Sequence, residues 1–293
     1  MQSPSETESL SLAAVPLWAI LLVGACLPVT AVVLWRLSRW WLSGKSIPEP
    51  VGGEGASVRW PAWFGLILFA GMLVLVVAIT GGYDAAEEAG LFGWGPLDVP
   101  PMFRPGTFLA QIVPPLVGLA VVLGFGRETA AAIGLRLRPL GAGLWYGVAA
   151  FAAVFPVCLA TLQVNTLVLL ALRMPVEAHP LLQTVSRAPT VWTTAVALFQ
   201  AGVLAPVAEE FMYRGVLLKS LSLEAGVGRA LVISSLVFAF VHVATEPQAL
   251  LPLICLGLVL GYIAHRTGSL LAPMVTHSLF NTVMILGAIS SAP

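Results

Sequence analysis

Long apolar runs broken by short polar stretches set the pattern of this chain. A bilayer core of about 30 Å takes about 20 apolar residues as a helix. By that measure the runs near 10–35, 60–80, 107–126, 141–170, 191–218, 229–245, 249–265 and 270–288 predict about eight transmembrane spans. Each is expected to be helical, because in lipid every backbone group must find its partner inside its own segment. No internal repeat, low-complexity tract or long polar stretch interrupts them. The expected fold is an all-α polytopic transmembrane bundle. Residues 1–140 hold spans and loops without a motif, and 141–293 hold a motif-bearing bundle with all motifs inside 190–288.

The polar residues between the runs orient the bundle. Glu6 and Glu8 precede the first run with no basic residue, and the run is too long for a signal peptide, so an uncleaved span is expected. Basic residues then cluster after the first span (Arg36, Arg39, Lys45, Arg59), the third (Arg127, Arg136, Arg138), the fifth (Arg214, Lys219, Arg229) and the seventh (Arg266). The other side holds Arg104, Arg173 and Arg187. By the positive-inside rule the richer side is cytosolic and both termini are outside. The stretch from Gly81 to Pro105, with Asp84, Glu87, Glu88 and Asp98 among many Gly and Pro, is expected as an irregular external loop. Trp40, Trp41, Trp60, Trp63 and Trp94 fall where interfacial anchors belong.

Composition agrees and excludes some functions. The chain is 58% hydrophobic and only 10% charged, with zero formal net charge and a mean hydropathy of +0.94. Nucleic acid is excluded as a partner for want of a basic footprint. Membrane lipid and a membrane-anchored protein or peptide are the partners expected. Cys26, Cys158 and Cys255 stand singly in apolar runs and read as small buried hydrophobes. Arginine far outnumbers lysine, which points to a prokaryotic cell membrane.

Against this background, ionisable residues inside spans need a reason, since each costs at least ~2.5–3.5 kcal/mol at mid-helix. The fifth span carries Glu209 and Glu210 followed by Arg214. Glu210 and Arg214 at i,i+4 share a face and can pair, which reads as support. Glu209 is turned about 100° away and free for chemistry. Pro206 is expected to bend the helix just before them, by removing a hydrogen bond and crowding the Gly202 carbonyl. The sixth span brings Phe238, read as packing, and His242. The eighth brings His277 and Asn281 at i,i+4 on one face, with Pro273 a turn earlier. His179, in an external loop, and His265, beside Arg266, read as solvated. Gln163 and Asn165 read as helix-to-helix ties outside the site.

A carboxylate, two imidazoles and an amide facing one cavity suffice for amide hydrolysis. Glu209 is the expected base for water with His242 as its partner, and His277 and Asn281 are suited to stabilise an oxyanion. The same residues allow a second chemistry, with Glu209, His242 and His277 binding zinc. No HExxH or GxSxG pattern is present.

Glu209-Glu210-x-x-x-Arg214, Phe238-x-x-x-His242 and His277-x-x-x-Asn281, in this order on successive late spans, resemble the three motifs of the type II CAAX prenyl endopeptidase family, the CAAX protease and bacteriocin-processing family. The resemblance covers roughly 190–288. It implies an intramembrane endopeptidase with Glu209, His242, His277 and Asn281 catalytic and Glu210 and Arg214 supporting. It also implies a membrane-associated substrate, prenylated in the eukaryotic members, reached from the cytosolic side. Two other readings stand beside it: a non-catalytic scaffold or bacteriocin-immunity protein, and a proton-coupled transporter using Glu209 and His242.

Overall fold

The computed structural model describes residues 58–92, 100, 103–136, 140–174, 176, 179–187, 190–243 and 245–290, and among these it is helical without a strand. The expected span at 10–35 lies outside the described residues. So do Cys26, Arg36, Arg39, Trp40, Trp41, Lys45, Trp94, Asp98, Arg138 and both termini.

The helices are α1 (Ala62–Glu88), α2 (Pro105–Gly124), α3 (Arg127–Ala132), α4 (Leu140–Ala171) and α5 (Pro180–Arg187). There follow α6 (Val191–Ala225), α7 (Val227–His242), α8 (Leu250–Thr267) and α9 (Leu271–Ser290). A 3₁₀ turn, Pro247–Ala249, leads into α8. Every expected span from residue 60 onward falls on one helix. Six of them, α1, α2, α4, α6, α8 with its leading turn, and α9, are long and apolar enough to cross a membrane. The helix α7 has 16 residues, about 24 Å at 1.5 Å per residue, and is short of a full crossing.

Three local expectations change. The irregular loop expected from Gly81 begins only after Glu88, because α1 continues through Gly81 and Gly82. Its last turns are held by Arg104 of the next element, 3.3 Å from Asp84 and 3.2 Å from Glu87. Trp60 is buried rather than interfacial, packed edge-on against Phe125 at 5.6 Å, whereas Trp63 is exposed. The helix α5 was not expected from so polar a segment. It forms because Leu181 and Val185, at i,i+4, are buried with Ala197 and Ile285.

One apolar core joins the two halves of the chain. Phe69 and Met72 of α1 and Val122 of α2 meet Phe211 and Tyr213 of α6, Phe238 of α7 and Leu256 of α8. Close approach of α7 to α8 rests on Gly257 and Gly261, a small-xxx-small pair. A Cβ on Gly261 would stand 2.7 Å from Leu231, and one on Gly257 3.0 Å from Ser235. This contact places the end of α7, and so His242, against the rest of the bundle.

Candidate functional site

The helix α6 departs from α-helical register twice, with π-helical segments at Gln200–Leu204 and Glu210–Leu217. Such segments are rare and cluster at functional sites. The first explains what becomes of Pro206. The Ala205 N–H bonds back five residues to the Gln200 carbonyl. In that register the Ala201 carbonyl would need an N–H from residue 206, which proline lacks. Asn281 supplies the missing donor, its Nδ2 lying 2.7 Å from the Ala201 oxygen. The proline therefore produces a π segment and a bond from α9, and the orphaned carbonyl is Ala201's rather than Gly202's.

Glu209 stands at the junction of the short α-helical stretch and the second π segment. Its side chain is 26% exposed, whereas those of Glu210 and its partner Arg214 are 0% and 1% exposed. The phase difference between the adjacent glutamates is thus realised as two environments.

The buried set is a three-membered network. Arg214 Nη1 donates to Glu210 Oε1 at 3.0 Å, and His277 Nδ1 lies 2.8 Å from the same oxygen. The guanidinium also donates to the Gly257 carbonyl at 3.4 Å and sits 4.5 Å from the centroid of Phe238. Phe238 is more than packing, for its ring also lies 4.9 Å from that of His242 and edge-on to that of His277 at 5.8 Å. Glu210 therefore fixes the imidazole of His277 as well as the guanidinium. The i,i+4 spacing could not disclose that tie, because the partner is 67 positions away.

The two imidazoles converge on Glu209. His277 Nε2 lies 3.8 Å from Glu209 Oε2, and His242 Nε2 4.0 Å from Oε1. His242 sits at the last position of α7 with its Nδ1 2.7 Å from the Phe238 carbonyl. A carbonyl only accepts, so Nδ1 carries the proton and the neutral ring turns a lone pair toward Glu209. His277 likewise donates from Nδ1 to a carboxylate, so it can donate from Nε2 only as an imidazolium. Asn281 has one amide hydrogen on Ala201 and one left.

Glu209, His242, His277 and Asn281 line one cavity of about 690 Å³. Glu210 and Arg214 do not reach it. The cavity also takes residues assigned elsewhere from the sequence. His179, expected in solvent, lines the wall, its Nδ1 accepting the Leu181 N–H at 3.1 Å. Burial lowers its pKa to about 4. Gln163 lines the cavity too, whereas Asn165 is the expected tie, its Nδ2 2.9 Å from the Pro247 carbonyl and 2.8 Å from that of Gln248. Glu246, unremarked in the sequence, stands in the wall with its pKa raised to about 7 by burial. Gln111, Gln200 and Gln248 also line it. Their only sequence signal was the cost of an amide in an apolar run, which a helix-to-helix tie explains equally well.

Among the described residues no three His, Cys, Asp or Glu side chains form a group that could hold a metal ion.

Fold and site together define a polytopic helical membrane protein with a carboxylate–imidazole centre in an internal cavity. Residues 191–283 match the family model described as Rce1-like: type II CAAX prenyl endopeptidase Rce1-like. The resemblance carried by the three motifs is borne out over that segment, which supports a protease and is less than half of the chain. No curated protein and no solved structure matches the chain.

Proposed function

We propose that the protein is an intramembrane endopeptidase hydrolysing a peptide bond of a membrane-anchored substrate, with Glu209 as the base. The observation that carries this is the approach of one partly exposed carboxylate to two imidazole Nε2 atoms, at 3.8 and 4.0 Å, inside a cavity. These separations are too long for direct hydrogen bonds. A residue retained only to tie helices would hydrogen-bond its neighbours, and among the described residues Glu209 makes no side-chain hydrogen bond.

A water between Glu209 and His242 has two acceptors for its two hydrogens, which turns an oxygen lone pair toward an incoming carbonyl carbon. As the C–O bond forms, its proton passes to Glu209 and negative charge develops on the carbonyl oxygen. His277 Nε2–H, in the imidazolium form, and the remaining N–H of Asn281 face that charge, a contribution usually among the largest in catalysis. Collapse breaks the C–N bond, and the proton on Glu209 leaves with the amine, restoring the carboxylate.

The mouth of the cavity bears on where substrate is met. The cavity is lined from the ends of α4 and α7, the first half of α6, the start of α8, and His179 and Glu246. Arg104, Arg173 and Arg187 are at that end, while Arg59, Arg127, Arg136, Lys219, Arg229 and Arg266 are at the other. Cytosolic access to the site was expected alongside the positive-inside orientation. Lys and Arg in short loops govern insertion, so the reading favoured is a mouth on the external side.

The test is cleavage of a lipid-anchored fluorogenic peptide by the purified protein in detergent. Glu209→Gln and His277→Ala are each expected to abolish cleavage, Glu209→Gln with a melting temperature close to the parent's. Equal cleavage by parent and both variants would overturn the assignment.

A further inference from the structure

The residue Gln200 opens the first π segment of α6. Its side chain is 3% exposed, it lines the cavity, and neither Oε1 nor Nε2 has a hydrogen-bond partner. Buried polar groups in folded proteins are nearly always bonded, so an amide with both ends open needs an explanation. Its neighbour Ala201 is held by Asn281, so the backbone that carries Gln200 is pinned while the side chain is left without a bond. On the same cavity Gln111 of α2 has a buried Oε1 that is likewise unpartnered.

We infer that Gln200, with Gln111 as a second acceptor, binds a backbone peptide group of the substrate. This rests on the endopeptidase reading above. The chemistry selects the ligand. An amide side chain with a free donor and a free acceptor is matched by a group presenting one of each, as the peptide group does. A carboxylate would satisfy only Nε2, and an acyl or prenyl chain would satisfy neither. Gln200 and Glu209 are nine positions apart on one helix, roughly 13 Å at 1.5 Å per residue. An extended chain spans that in about four residues. The group bound is therefore about four residues from the scissile bond, and the substrate segment between is extended.

The experiment measures binding of a fluorescent, lipid-anchored apolar peptide to the full-length Glu209→Gln protein in detergent, where turnover is blocked. A series of peptides replaces one backbone N–H at a time by an ester oxygen. One ester, about four residues from the scissile bond, is expected to weaken binding about tenfold, equivalent to about 1.4 kcal/mol. Adding Gln200→Leu is expected to weaken the all-amide peptide by a similar factor and to abolish the further effect of that ester. Gln200→Leu forfeits no internal hydrogen bond, so its melting temperature is expected to equal or exceed the parent's. Unchanged affinity on Gln200→Leu, an ester effect that persists in full beside it, or a lowered melting temperature would overturn the inference. If the parent binds and cleaves while Gln200→Leu is silent, the clamp alone fails. If the parent neither binds nor cleaves, the endopeptidase reading fails with it.

Discussion

Replacing Arg214 by methionine keeps an apolar stem and removes a guanidinium that is 1% exposed from beside the fully buried Glu210. At 3.0 Å and an effective dielectric of about 20, the pair attracts by roughly 5 kcal/mol. Desolvation offsets much of this, but losing one partner leaves a buried unpaired charge, at about 3–5 kcal/mol. The upper end is expected. Glu210 Oε2 has no partner to share the charge, and the contacts of Arg214 with Phe238 and the Gly257 carbonyl vanish too. The double replacement Glu210→Leu with Arg214→Met removes both charges. What remains is the Nδ1–H of His277 without its acceptor, about 1–3 kcal/mol. The double variant should thus be more stable than the single one by about 2 kcal/mol, yet inactive, because the imidazole has lost its anchor. Thermal unfolding in detergent, followed by reaction of a fluorogenic maleimide with the buried Cys158, gives the order of stabilities. A single variant as stable as the double one would refute the reasoning.

Three further outcomes are expected. Chelation with phenanthroline should leave cleavage unchanged; loss that added zinc restores would show that the donor set rearranges around a metal. In a cysteine-free background, a membrane-impermeant maleimide applied to intact cells should label Thr245→Cys at the mouth and spare Glu224→Cys at the far end, and the reverse pattern would restore cytosolic access. Burial raises the pKa of Glu246 to about 7, so the folded state holds a proton that the unfolded state releases. Its contribution is full below the ordinary carboxylate range and is lost as pH rises through about 7. His179, lowered to about 4, acts in the opposite sense, its contribution being lost as pH falls from the ordinary histidine range through about 4. Relative to Glu246→Gln, the parent's melting temperature should therefore decline from pH 5 to 8, and a flat difference would show that Glu246 is solvated.

Much of this protein was legible before any coordinates. Run length alone located the described spanning helices, because a bilayer's thickness and the rise of a helix are constants. The i,i+4 spacing anticipated the Glu210–Arg214 pair, and a 100° step separated Glu209 from it, since both depend on one helix only. Where neighbouring helices decide, the pattern was silent or misleading. Whether an amide ties helices or faces a cavity is the same pattern in one dimension, so the reading holds for Asn165 and fails for Gln163. The bond of Glu210 to His277 and the donation from Asn281 to the carbonyl freed by Pro206 join residues dozens of positions apart. Packing alone sets those distances, because helical phase fixes the direction of a side chain but not what stands opposite it.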